Sequence, residues 1–128
     1  MDLLALKKAV RGTVTSREDA GYEAIRAGLL WNGRKPDRFP ELVVKAKDAA
    51  DVQATVRYAA AQGRQISVRG GGHHWSCIAL QDCIVIDLGQ MNALRIDPAA
   101  RLAFAQPTVT NGMLAEQLAE QQLVTFDA

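Results

Sequence analysis

Aromatic side chains are scarce in this chain of 128 residues: three Phe, two Tyr and two Trp make up 5% of it. So few rings exclude a stacking platform for single-stranded nucleic acid, which relies on aromatics under successive bases. Charge of one sign is missing as well. Fifteen Lys and Arg stand against fourteen Asp and Glu, a formal net charge of +1. The two signs are interspersed, so no long-range field draws in nucleic acid or an acidic membrane surface. Cysteine is limited to Cys77 and Cys83, too few for a disulfide framework and wrongly spaced for a Cys-x-x-Cys pair. Two small buried thiols in a reducing compartment are expected instead. No apolar run approaches a membrane span. The apolar stretch at Leu3–Leu6 is too short for a signal peptide, and its lysines follow it rather than precede it. A soluble cytoplasmic protein is the expectation, with one domain's worth of chain and no repeat or low-complexity segment.

Glycine, by contrast, is concentrated. Residues 69–74 read Arg-Gly-Gly-Gly-His-His. Three glycines in a row leave the backbone free to visit positive φ and to approach a ligand with no Cβ in the way. Successive N–H groups in such a turn form a concave nest for phosphate or pyrophosphate, and the histidines set a titratable, nucleophilic imidazole beside it. Ile66-Ser67-Val68 precedes the loop and reads as the end of a buried strand, where ligand loops sit in α/β proteins. The dinucleotide spacing Gly-x-Gly-x-x-Gly is broken by His73, His74 and Trp75, and no Gly-Lys-Ser/Thr follows as in a Walker loop. His73, His74 and Cys77 fall short of a closed four-ligand zinc site, and adjacent histidines on extended chain face opposite ways. No Ser-His-Asp arrangement is supported.

The surrounding pattern supplies the frame. Leu3, Leu6 and Val10 share a helical face. Ser16 and Asp19 resemble a capping box ahead of a helix bearing Tyr22, Ile25 and Leu29. Arg34–Pro40 reads as a surface loop. Leu42-Val43-Val44 is a strand, and Asp48 caps a helix with Asp51 at its third position. Val52, Val56 and Ala59 or Ala60 form that helix's inner face, and Gly63 closes it. With Ile66–Val68 this makes a β-α-β unit. Ile84–Leu88 is a further buried strand. Asn92–Asp97 and Leu102–Ala105 form a hairpin turned at Asp97-Pro98-Ala99-Ala100. Thr110 or Asn111 caps a last helix with Leu114 and Leu118 on one face. Leu123–Phe126 then reads as an extended apolar segment whose open edge suits association with another copy or a partner chain. A chain stopping there is expected to be incomplete. The fold class is α+β: a β-α-β unit followed by a further strand, a hairpin and a helix.

The stretch Pro40–Val44, Asp51-Val52, Ile66–His73 and Val85–Leu88 resembles the FAD-binding domain of the vanillyl-alcohol oxidase and p-cresol methylhydroxylase superfamily. The nearest branch is the berberine-bridge-enzyme-like FAD-linked oxidases. The similarity covers about residues 39–128, behind a 1–38 helical segment. It implies that Arg69, Gly70, Gly71, Gly72, His73 and His74 form the cofactor-binding loop, which takes the FAD pyrophosphate on backbone N–H groups. It further implies that His73, by motif register, is bonded covalently to the flavin; His74 stands where the family usually has aspartate, serine or asparagine and is the alternative. Arg69 either contacts the phosphate or forms a structural ion pair. Met91-Asn92 after the Ile86-Asp87-Leu88 strand matches the family order too. The implied reaction is hydride transfer from an alcohol, sugar or activated C–H bond to the flavin, with reoxidation by oxygen. Family members run several times longer, so a second flavin segment and the substrate domain are expected beyond residue 128. No catalytic residue is assigned within the chain, and Cys77 and Cys83 inherit no flavin linkage. A non-catalytic flavin- or nucleotide-binding module, completed by a partner, is the other reading.

Overall fold

Short elements alternate along the chain: α1 (Leu3–Ala9), β1 (Thr13–Ser16), α2 (Tyr22–Gly28), β2 (Leu42–Lys45), α3 (Ala49–Ala61), β3 (Ile66–Arg69), β4 (Ile84–Asp87), β5 (Leu94–Asp97), β6 (Leu102–Ala105) and α4 (Asn111–Glu120). The computed structural model describes residues 2–125. It divides into two compact units, Met1–Gln90 and Met91–Ala128. The α+β expectation holds, with helices and a mixed sheet in the first unit and a hairpin with a helix in the second.

In the first unit the sheet runs β1-β2-β4-β3, with β1 antiparallel to β2 and the other pairs parallel. β4 therefore slots between the two strands joined through α3. Its residues Ile84, Val85, Ile86 and Asp87 are all buried, which suits the central strand of a sheet covered on both faces. The two-residue alternation of strand side chains divides the core. Leu42, Val44 and Ile84 pack with Leu6, Val10 and Ala59 on one face. Val43 and Val85 pack with Leu29, Leu30, Cys77 and Leu80 on the other. Both cysteines are free and buried. No helix among the described residues is long and apolar enough to cross a membrane.

Four expectations need correction. Thr13–Ser16 is a strand, not part of a helical stretch; paired with β2, it extends the sheet. The Ser16–Asp19 motif makes a turn rather than a helix start. Asp19 Oδ2 accepts from Ser16 N and faces Ser16 Oγ, at 2.8 and 3.0 Å, while α2 begins after Gly21 at φ 84°. β3 is not a buried strand: it lies at the sheet's edge, with Val68 55% exposed. The inner face of α3 is Asp51, Thr55 and Ala59, whereas Val56 is exposed.

That last correction has an electrostatic cause. Asp48 caps α3 through Ala50 N and Asp51 N, as the sequence predicts. Asp51 instead turns its fully buried carboxylate toward the backbone of neighbouring segments. It accepts from Arg11 N at 2.8 Å, Gly12 N at 2.9 Å and Lys47 N at 2.9 Å. Gly12 is required for this approach, since a Cβ there lies 1.8 Å from the Lys45 carbonyl. Burial pushes the Asp51 pKa up, but the three N–H donors outweigh it and leave the carboxyl below its ordinary value. At the other end of α3, Gly63 sits at φ 61°. Arg64 N bonds Ala59 O and Gly63 N bonds Ala60 O, the expected glycine-capped termination.

The second unit holds the expected hairpin, with Leu94 opposite Ala105 and Asp97 opposite Leu102. Asp97 Oδ1 accepts from Ala100 N at 3.0 Å and so fixes the turn. Thr110 caps α4 through Met113 N. Leu123–Thr125 form no regular strand, and Phe126, the end of the expected extended segment, lies outside the described residues.

Asp51→Ala strands three backbone donors at the junction of α1, β1 and α3. Urea unfolding is expected to show a loss of about 3 kcal/mol, on the scale of a removed charged acceptor. Because the folded-state pKa is lowered, this stabilisation is full above the unfolded value of roughly 3.9 and fades as pH falls through the folded one. Asp51→Asn therefore flattens the acid limb of the stability curve below about pH 4. An acid limb unchanged by that substitution contradicts the assignment.

Candidate functional site: the glycine–histidine loop

The loop leaves β3 at Arg69, whose register partner in β4 is Asp87. The parallel pairing brings both side chains to one end of the sheet, and they close on each other. Arg69 Nη1 lies 3.1 Å from Asp87 Oδ1, with the side chains 18% and 9% exposed. Arg69 Nε donates to Leu29 O at 3.2 Å, and Nη2 to Gly71 O at 3.3 Å. One guanidinium thus ties together the end of α2, the neighbouring strand and the loop. Arg69 forms a structural ion pair, one of the two roles open to it from sequence. Gly89 keeps this corner open, because a Cβ there lies 2.8 Å from Arg69 Nη1. Asp87 Oδ1 also accepts from Gly89 N at 3.0 Å.

The glycines serve different ends. Gly72 adopts φ 71°, and a Cβ on it meets Leu29 O at 2.3 Å. Its carbonyl accepts from Trp31 N at 3.4 Å, so the loop presses against the chain leaving α2. Gly71 has no such backbone demand; a Cβ there lies 2.5 Å from His73 Cδ2, because the imidazole folds back over it. Among the described residues, no backbone N–H from Gly70 to His74 has an acceptor within the chain. A run of unspent donors at a strand end is what an anion nest requires. With Arg69 neutralised by Asp87, the attraction for an anion rests on these backbone dipoles.

His73 and His74 are both exposed, and they differ in what they touch. His74 Nδ1 accepts from Ser76 N at 3.2 Å and lies 2.9 Å from Ser76 Oγ, while its carbonyl accepts from Cys77 N. His73 makes no hydrogen bond among the described residues. Its ring lies parallel to Trp31, with centroids 6.2 Å apart at 12°. The loop borders a cleft of about 140 Å³ lined by Leu30, Val68, Gly70, Gly72, His74 and Ile78 among others. That is below the roughly 300–1,000 Å³ of a complete small-molecule pocket.

Sequence reasoning missed the supports. Arg38 Nη1 reaches Ser76 O, Cys77 O and Leu80 O at 3.2, 3.1 and 3.3 Å, fixing the turn behind the histidines. Ser67 Oγ donates to Ala79 O at 2.7 Å on the same turn. Trp31 was visible only as a ring between a helix end and Asn32-Gly33, with no local signal for its contact with the loop. Gly72→Ala must break the contact with Leu29 O and is expected to cost about 3 kcal/mol, the left-handed penalty plus the clash. Gly33→Ala, at φ 66° with nothing within 4 Å, is expected to cost only the left-handed penalty of about 1–2 kcal/mol. Equal losses in urea unfolding contradict the close approach.

Residues 40–127 match the FAD binding domain family. The chain is 38% identical over 118 residues to (R)-6-hydroxynicotine oxidase of Paenarthrobacter nicotinovorans, covering 91% of this chain and 25% of that protein. It is 34% identical over 105 residues to FAD-linked oxidoreductase penO of Penicillium crustosum, covering 80% of this chain and 23% of the relative. The crystal structure of 6-hydroxy-D-nicotine oxidase from Arthrobacter nicotinovorans superposes with a TM-score of 0.75 at 37% identity, over 88% of this chain and 24% of that one. The Bermuda grass isoallergen BG60 superposes at 0.82 with 22% identity, a likeness of fold. The chain spans about a quarter of the length of the curated relatives it matches. Since the family match takes in the whole loop, the chain belongs to the FAD-binding domain family of the FAD-linked oxidoreductases, of the p-cresol methylhydroxylase type.

Proposed function

We propose that this chain carries the pyrophosphate-binding part of the FAD site of a larger FAD-linked oxidase. On this reading residues 39–128 are the first portion of the FAD-binding domain, and residues 1–38 brace it. The unspent backbone donors from Gly70 to His74 carry the proposal. Several charge-assisted N–H bonds to a dianion contribute about 1.5–3 kcal/mol each. Arg69 takes part by holding the loop from behind, through Leu29 O, Gly71 O and Asp87. His73 is the covalent link to the flavin: its ring is uncommitted, whereas the Nδ1 of His74 is engaged by Ser76.

When bound, FAD supplies two-electron chemistry, accepting hydride from an alcohol, sugar or activated C–H substrate and passing electrons to oxygen. This chain's own residues bind and orient the cofactor. Substrate recognition and the catalytic base belong to the rest of the protein, so the isolated chain is expected to hold FAD weakly and to produce no peroxide. A cytoplasmic location accords with free, buried Cys77 and Cys83. The alternative, a flavin- or nucleotide-binding module completed by a partner chain or second copy, rests on a cleft of about 360 Å³ in the second unit, where Arg101 and Gln122 stand among apolar side chains. Leu102, Leu114, Leu118 and Val124 line it.

Incubation with FAD followed by a denaturing gel tests the linkage. Wild type and His74→Ala are expected to give a fluorescent flavin band, and His73→Ala none. A band that survives His73→Ala and disappears in His74→Ala reverses the assignment.

A further inference from the structure

Trp31 and Trp75 are large apolar side chains left 47% and 68% exposed beside the loop, where the core has no use for them. Trp31 meets Trp75 edge-on, with centroids 5.0 Å apart at 87°, and lies parallel to His73. Both geometries fall in the favourable range for aromatic pairs. The backbone of Trp31 is fixed independently of its ring, by the bond from its N–H to Gly72 O. The ring of His73 also occupies the space of an absent Gly71 Cβ. An exposed imidazole with no hydrogen bond otherwise samples several rotamers. Among the described residues, two features orient it, the Trp31 indole and the bare Cα of Gly71.

We infer that Trp31, braced by Trp75, is the positioning residue of His73: it holds the imidazole in one orientation before any cofactor arrives. This rests on the proposed role of His73 and adds how the side chain is made ready. Preorganisation of a reacting group raises the rate of bond formation without altering how tightly the ligand binds. It also accounts for Gly71, whose glycine is needed for the ring of His73 and not for a left-handed backbone.

NMR of the chain without cofactor tests the orientation directly. The wild type is expected to show nuclear Overhauser contacts between the His73 ring protons and the Trp31 indole, and His73 shifts displaced by the indole ring current. Trp31→Leu should remove both, Trp31→Phe should restore the displacement in part, and Gly71→Ala should remove it by expelling the ring. The thermal midpoint should change little in the Trp31 variants, because the side chain is half exposed. A second arm follows covalent flavin attachment: Trp31→Leu is expected to slow it about tenfold at unchanged FAD affinity. Identical His73 shifts in wild type and Trp31→Leu overturn the inference, as does attachment at the wild-type rate. If the NMR contacts are present and wild type attaches no flavin, the positioning stands and the linkage through His73 falls.

Discussion

The Arg69 guanidinium, closed on Asp87 at 3.1 Å, is the contact on which the site depends. It spans the ends of two parallel strands and donates to the carbonyls of Leu29 and Gly71. Without it, three segments that are remote in sequence have no common anchor at the loop. A lysine cannot take its place, because a single ammonium does not reach three acceptors spread in a plane. The pair also removes a net charge from the site. What remains for an anion is a row of oriented backbone N–H groups, which need no side chain to be held in register.

The loop is therefore a compromise between strain and opportunity. Gly72 adopts a left-handed backbone against Leu29 O, and Gly71 leaves room for an imidazole. Neither position admits a side chain without displacement of a neighbour. The cost of ordering three glycines is offset by the contacts that Arg69 and Trp31 make with Gly71 O and Gly72 O. Deeper in the unit, Asp51 does the same for backbone donors near the start of β1. Asp51 and Arg69 satisfy polar groups by reaching across elements, whereas buried Thr55 bonds Asp51 O along its own helix.

Elements with a strong local signal were legible in the sequence. Asp48 and Gly63 delimit α3, Ile84–Asp87 is the buried strand, and Asp97-Pro98 turns the hairpin. The loop and its likeness to an FAD-binding family were legible too, because their residues are contiguous. What escaped depended on contacts distant in sequence. β1 contains two threonines and a serine, and only pairing with β2 makes it a strand. The inner face of α3 was misread because hydrophobic spacing favoured Val56, while Asp51 and Thr55 turn inward to hydrogen bonds. The edge position of β3 follows from β4 inserting beside it, which no local pattern encodes. Trp31 lies 42 positions before His73 in the chain, and nothing near it announces the contact.

In the proposed function the backbone N–H groups of Gly70 to His74 receive the FAD pyrophosphate. Amide chemical-shift mapping of the chain, titrated with FAD and separately with inorganic pyrophosphate, tests it most directly. Both ligands are expected to move the Gly70–His74 amides downfield together, saturating in one transition, while amides of the β5–β6 hairpin respond to FAD alone or to neither. Unmoved loop amides, with FAD or pyrophosphate shifting residues elsewhere in the chain, contradict it.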